Sequence, residues 1–137
     1  MENTPVKTAF LFDLNGTMID DMEFHGNAWF DILNNDLGAG LSQEQVKKEM
    51  YGKNPELLER VFGKNKFSAE EVEMYSMRKE LDYQAKYKPH LKLLPGLDDF
   101  LEKANQQEIK MAIASAAIPF NIDFVVDNLG LRRYIQA

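Results

Sequence analysis

The chain has 137 residues, 45% hydrophobic and 28% charged, a balance that fits a folded globular protein and excludes a disordered or fibrous one. A domain of this size buries roughly two-thirds of the surface its unfolded chain exposes, so a real core is within reach. Sixteen Lys plus Arg against twenty-two Asp plus Glu give a net charge of -6 with the basic residues scattered, which argues against a nucleic-acid partner, and the lack of cysteine excludes disulfides and thiol chemistry.

The opening MENTPVKTAFLFDLNG has too short an apolar run for a signal peptide, and no stretch reaches the roughly 20 apolar residues of a membrane span. The expectation is a cytoplasmic protein with no membrane partner. Thr8 to Phe12 form a continuous apolar run closed by Asp13, Asn15 and Gly16, which predicts a strand buried on both faces, the kind parallel sheets contain. Asp20, Asp21 and Glu23 then read as the acidic start of a helix rather than as a metal cluster.

From about residue 20 to residue 90 the pattern is helical throughout. One helix carries Phe24, Ala28, Trp29, Ile32 and Leu33, and the next opens on the capping box Ser42 and Gln45. A short third helix follows Asn54 and Pro55 with Leu57, Leu58, Val61 and Phe62 inward. The fourth opens on Ser68 with Glu71 and runs through Met74, Met77 and Leu81, and its Met74, Tyr75, Met77, Tyr83 and Tyr87 are expected to pack this helical unit. Lys-Pro-His-Leu and Leu-Pro-Gly near residues 88 to 96 read as a return linker.

Leu97, Phe100, Leu101 and Ala104 keep helical spacing, and Met111 to Ala114 form a second short apolar run, so strand, helix and strand follow one another. A last helix begins near Pro119, keeps Ile122, Val125, Val126 and Leu129 on one face, and meets Gly130 at its C-terminal cap. The fold class is α/β. A parallel-sheet core of residues 1–19 and 91–137 is expected to carry a four-helix insertion of residues 20–90.

Asp13 ends a buried strand at the sheet edge where open α/β sheets place ligands, and Gly16 lets the backbone turn closely around a bound group. An Asp there can attack phosphorus, or it can simply end a strand in a turn. Ser115 stands between a strand and a helix, a place for an anion at free N-H groups and also for an ordinary cap or turn residue.

The segment FLFDLNGT, residues 10 to 17, resembles the DxDGT or DxDGV opening motif of the haloacid dehalogenase superfamily. With the helical insertion after it and Leu94, Pro95 and Gly96 marking the return, the chain is similar to the β-phosphoglucomutase-like phosphatases and mutases. That resemblance implies a Rossmann-like core with a helical cap, and a magnesium-dependent attack on a small phosphorylated metabolite. It makes Asp13 the nucleophile and a Mg2+ ligand, with the backbone carbonyl of Asn15 as a second ligand. It makes Ser115, helped by the Ala116 amide, the holder of the phosphoryl group, and leaves Thr17 a structural role.

Asn15 departs from the family, which has an acid-base Asp there; a carboxamide does not shuttle a proton, a step usually worth roughly 10² to 10⁴-fold. His25, twelve residues after Asp13, either faces the active site from the cap or sits between helices. The segment Tyr51, Gly52, Lys53 and Asn54 resembles the family's cap loop that reads the substrate, where Lys53 either meets an anionic group or is solvated, and it departs from the basic loop of the mutases. The readings are therefore a phosphatase, a sugar-phosphate mutase, a catalytically weak phosphate-ester binder, or a cap-driven interaction module. The resemblance implies a phosphate-binding lysine and an acidic pair after residue 137, so the chain reads either as a truncated fragment or as one piece of a nicked protein whose companion C-terminal piece carries the rest.

Overall fold

The structure, a computed structural model, describes residues 7–137; the part of the leader reading that concerns residues 1–6 lies outside them. The chain divides into two compact units. One is made by the residues up to Asp20 together with His90–Ala137, the other by Asp21–Pro89.

In the first unit β1 (Ala9–Phe12) and β2 (Lys110–Ile113) pair in parallel, with Ala9 opposite Lys110 and Phe12 opposite Ile113. Main-chain bonds from Ile113 to Ala137 and from Gln136 to Met111 bring residues 135–137 alongside β2, which so has a parallel neighbour on each edge. The helix α5 (Leu97–Gln106) leads into β2, and α6 (Pro119–Asn128) follows it. Leu101, Ala104, Met111, Val125, Val126, Leu131 and Tyr134 form the buried set. Gly130 takes a left-handed φ of 63° just past α6, the cap its sequence position predicts, and the chain turns there into Leu131–Arg133.

The expectation that the first strand is buried on both faces is corrected. Phe100 of α5 lies against Phe10 and Phe12 at ring separations of 5.3 and 6.2 Å, covering one face. Leu11 points to the other face, where among the described residues nothing covers it, and it is 73% exposed.

In the second unit α1 (Met22–Phe30) runs on into a π-helical turn, Asp31–Asp36, and is followed by α2 (Gln43–Glu49), α3 (Asn54–Phe62) and α4 (Ala69–Tyr87). Trp29, Ile32, Leu33, Val46, Leu57 and Leu58 make its core, with Val61, Phe62, Phe67 and Tyr75 packed around them. Both capping boxes form: the Gln45 amide donates to Ser42 Oγ at 3.2 Å and the Ser42 amide to Gln45 Oε1 at 2.8 Å, and Ser68 with Glu71 repeats the arrangement.

The reading of α4 holds for Tyr75, Tyr83 and Tyr87, which pack inward, and is corrected for its methionines. Its buried residues are Lys79, Glu80, Tyr83 and Tyr87, whereas Met74, Met77 and Leu81 are 51%, 40% and 54% exposed. Two large tyrosines fill the interior, and a hydrogen-bonded polar cluster, described below, satisfies the buried charges. No helix among the described residues is long and apolar enough to cross a membrane.

Candidate functional site

The parallel register puts the C-terminal ends of β1 and β2 side by side, in neighbouring strands about 4.8 Å apart. Asp13 follows Phe12 directly and Ser115 comes two residues after Ile113, so both leave the same edge of the sheet. The Ala114 amide donates to the Phe12 carbonyl at 2.8 Å and extends the pairing to that edge. Asp13 is exposed, and its Oδ1 accepts the Leu14 amide at 2.8 Å. Among the described residues no hydrogen bond is made to its Oδ2.

The turn after Asp13 is tight. Leu14, fully buried, anchors it, and its carbonyl accepts the amides of Thr17 at 3.2 Å and Met18 at 2.9 Å. Gly16 has a φ of 68°, a conformation that residues with a Cβ adopt at a cost, and Asn15 is half-buried beside it. Thr17 has the structural place expected of it.

Ser115 is not at the cap of α6. Ala116–Ile118 intervene, Ile118 is the N-cap residue, and Ser115 Oγ accepts the Ala117 amide at 3.1 Å in a short local turn. The hydroxyl and the Ala116 backbone thus belong to a loop at the sheet edge rather than to the first turn of the helix.

In the helical unit His25 lies between helices, part of a buried cluster. Its ring stacks on Tyr83 with 3.7 Å between centroids, its Nε2 is 3.2 Å from Asp21 Oδ2, and Lys79 Nζ lies 2.8 Å from its Nδ1. An ammonium only donates, so Nδ1 accepts and the ring proton sits on Nε2, facing Asp21. Tyr83 OH also donates to Asp21 Oδ2, at 2.7 Å. Lys79 is within 3.1 Å of Glu80 Oε2, and Asn54 Nδ2 donates to Glu80 Oε1 at 2.6 Å.

Burial pushes the His25 imidazole below its ordinary value, and the Lys79 charge pushes the same way against the hydrogen bond that His25 donates to Asp21. Burial likewise lowers Lys79, with Glu80 opposing, and burial and the bond to Asp21 raise Tyr83. Asp21 stands at the N-cap of α1, the helix start expected of it; it makes no side-chain cap bond there and is the fully buried acceptor of this cluster. Lys79, Glu80 and Asn54 carried no motif that would have singled them out.

Gly52 and Lys53 precede α3. Gly52 has a φ of 71°, and the Lys53 amide donates to Glu56 Oε2 at 2.9 Å while its side chain is exposed. Arg60 holds the same loop, donating to the carbonyls of Glu49 at 2.5 Å and Tyr51 at 2.7 Å, with its guanidinium 3.7 Å from the Tyr51 ring.

Among the described residues no three His, Cys, Asp or Glu side chains gather as a metal site. The exposed Asp13 carboxylate is nevertheless a hard-oxygen donor of the kind Mg2+ accepts, since that ion binds through one or two carboxylates and keeps several waters.

Residues 7–137 match the family described as haloacid dehalogenase-like hydrolase. The chain belongs to that family. It is 29% identical to the β-phosphoglucomutase of Bacillus subtilis (strain 168) over 124 residues, covering 80% of this chain and 50% of that protein. Its structure is similar to a family IA, variant 3 hydrolase of Entamoeba histolytica, with a TM-score of 0.81 and 27% identity over 94% of this chain and 58% of that one. It is also similar to a β-phosphoglucomutase of Clostridium difficile, with a TM-score of 0.78 and 25% identity over 96% of this chain and 60% of that one. The α/β architecture with a Rossmann-like core and helical cap, and the β-phosphoglucomutase-like subgroup, follow from these likenesses. The chain spans about half the length of the curated relative it matches.

Proposed function

We propose that the protein carrying this chain transfers the phosphoryl group of a small phosphate ester through an aspartyl-phosphate on Asp13. One observation supports this above the others: Asp13 and Ser115 leave adjacent parallel strands at one sheet edge. Asp13 Oδ1 accepts the Leu14 amide, and Oδ2 is the oxygen that would attack. The new Oδ2–P bond forms as the ester P–O bond breaks, and the leaving alkoxide takes a proton from solvent. Water then attacks phosphorus, releases phosphate and regenerates the carboxylate.

The Ser115 hydroxyl and Ala116 amide are the groups of this chain that would hold the phosphoryl oxygens, and a small phosphorylated metabolite is the expected partner. Asp13 and the Asn15 carbonyl would hold Mg2+, which when bound neutralises charge on the phosphoryl group. Asn15 favours a second reading, a phosphate-ester binder with little turnover, because its carboxamide supplies no proton to the leaving group.

The test is a panel of phosphate esters incubated with the full-length protein and Mg2+, with phosphate release and mass analysis of the Asp13 peptide as readouts. Turnover with a phosphorylated Asp13 peptide, both lost in Asp13→Asn, is the expected result. Turnover unchanged in Asp13→Asn sinks the mechanism. Saturable ester binding without turnover, with a gain on the order of 10² to 10⁴-fold in Asn15→Asp, selects the second reading.

A further inference from the structure

The outer face of α4 is unlike that of an ordinary solvated helix. Opposite its buried side it presents, in order, Glu70, Met74, Met77, Leu81, Ala85 and Lys88, at steps of four and three residues, and all six are exposed. From Glu70 to Leu81 the steps alternate four and three, the spacing of a seam between two helices, and Ala85 and Lys88 continue the same face. The three central residues are large and apolar, with Leu81 the most exposed at 54%. Single exposed apolar residues are common, but a contiguous stripe of them along one helix face marks an interaction site.

The charges at the two ends indicate what covers the stripe. Glu70 stands near the helix N-terminus and Lys88 at its C-cap, and neither makes an ion pair among the described residues. Lys86, by contrast, is engaged by Asp31 and Asp82, and Arg78 at the stripe's edge by Asp36. A second copy of α4 laid antiparallel about a two-fold axis near residue 79 puts each Glu70 opposite the other copy's Lys88. The same register stacks Met77 of each copy on Leu81 of the other and seats Met74 beside Ala85. A parallel pairing would oppose Glu70 to Glu70 and Lys88 to Lys88, so the charge order selects the antiparallel one. The contact is isologous and closes at two copies.

We infer that α4 is a homodimerisation surface, two copies of the chain pairing antiparallel through Met74, Met77 and Leu81 with Glu70–Lys88 ion pairs at both ends. Paired segments of 19 residues are roughly 28 Å long, so the interface is small and the dimer belongs to the weak, concentration-dependent class. This inference does not depend on the phosphoryl-transfer reading.

Sedimentation equilibrium of the 137-residue chain, from about 10 μM to about 1 mM, tests it. The expected result is a reversible monomer-dimer equilibrium that Met77→Glu or Leu81→Glu weakens by about 100-fold or more, with circular dichroism unchanged. Glu70→Lys should weaken it several-fold, and adding Lys88→Glu should restore it to within about twofold. Because the chain has no cysteine, mixing Met77→Cys with Leu81→Cys should give the mixed disulfide in preference to either self-disulfide. A monomer across the whole range, a dimer indifferent to Met77→Glu and Leu81→Glu, or failure of the double charge swap to restore association overturns it.

Discussion

Replacing Lys79 by Met is the sharpest probe of the buried cluster. Lys79 and Glu80 are only 3% and 4% exposed, and the ammonium is shared between Glu80 and His25 Nδ1. Removing it takes the ammonium away from Glu80, which keeps the bond from the Asn54 amide, and breaking a buried pair this way costs about 3–5 kcal/mol. Against a total stability of about 5–15 kcal/mol, that is a large fraction. Replacing both partners, Lys79→Met with Glu80→Leu, removes both buried charges and leaves mainly the Asn54 amide and His25 Nδ1 to find water, about 1–3 kcal/mol. Urea unfolding of the wild type and both variants gives these numbers from the midpoints, provided the slopes agree. The double variant should be more stable than Lys79→Met alone. If Lys79→Met costs less than about 1 kcal/mol, or the double variant is the least stable of the three, the cluster is not the buried ion pair described here.

Two further outcomes follow from the same unit. His25 has its imidazole held below the usual value, so between that lowered pKa and about 6.5 the unfolded chain takes up a proton that the folded chain refuses. The His25 contribution is therefore present above pH of about 6.5 and is lost as pH falls toward the folded pKa; with only two histidines in the chain, NMR titration of the ring protons resolves it, and a His25 midpoint at or above about 6.5 would contradict it. Gly52→Ala places a Cβ at a φ of 71° and against the Glu56 carboxylate that caps the Lys53 amide, so a loss of about 1–2 kcal/mol is expected from thermal melts, and an unchanged Tm would show that this loop is not held as described.

Local chemistry carried most of what could be read from the sequence. The capping boxes at Ser42 and Ser68 are signals only three residues wide, and Gly130 and Pro119 mark helix ends through backbone constraints that need no tertiary partner. Asp13 and its turn were legible for the same reason. The face of α4 was not, because Met74, Met77 and Leu81 and the opposing Tyr83 and Tyr87 both keep helical spacing, and side-chain size together with polar satisfaction decided between them. The Asp21, His25, Lys79 and Tyr83 cluster joins residues 54 and 62 positions apart, a separation over which one sequence carries no pattern. Ser115 was legible as a residue between strand and helix, but the choice between cap and turn was not, because the loop before Pro119 has no periodicity to measure.

The helical unit begins at Asp21 and ends at Pro89, and its first and last turns are fastened to each other by the Tyr83–Asp21 hydrogen bond and by Phe24 lying 4.9 Å from Tyr87. An inserted segment whose own ends are clasped behaves like a parenthesis in the chain. Its content can lengthen, shorten or be rewritten in evolution while the clasp returns the chain to the same point, so strand register and the carboxylate at the sheet edge are left undisturbed. The helical unit and the sheet edge can then be inherited on separate stretches of one gene and altered one at a time.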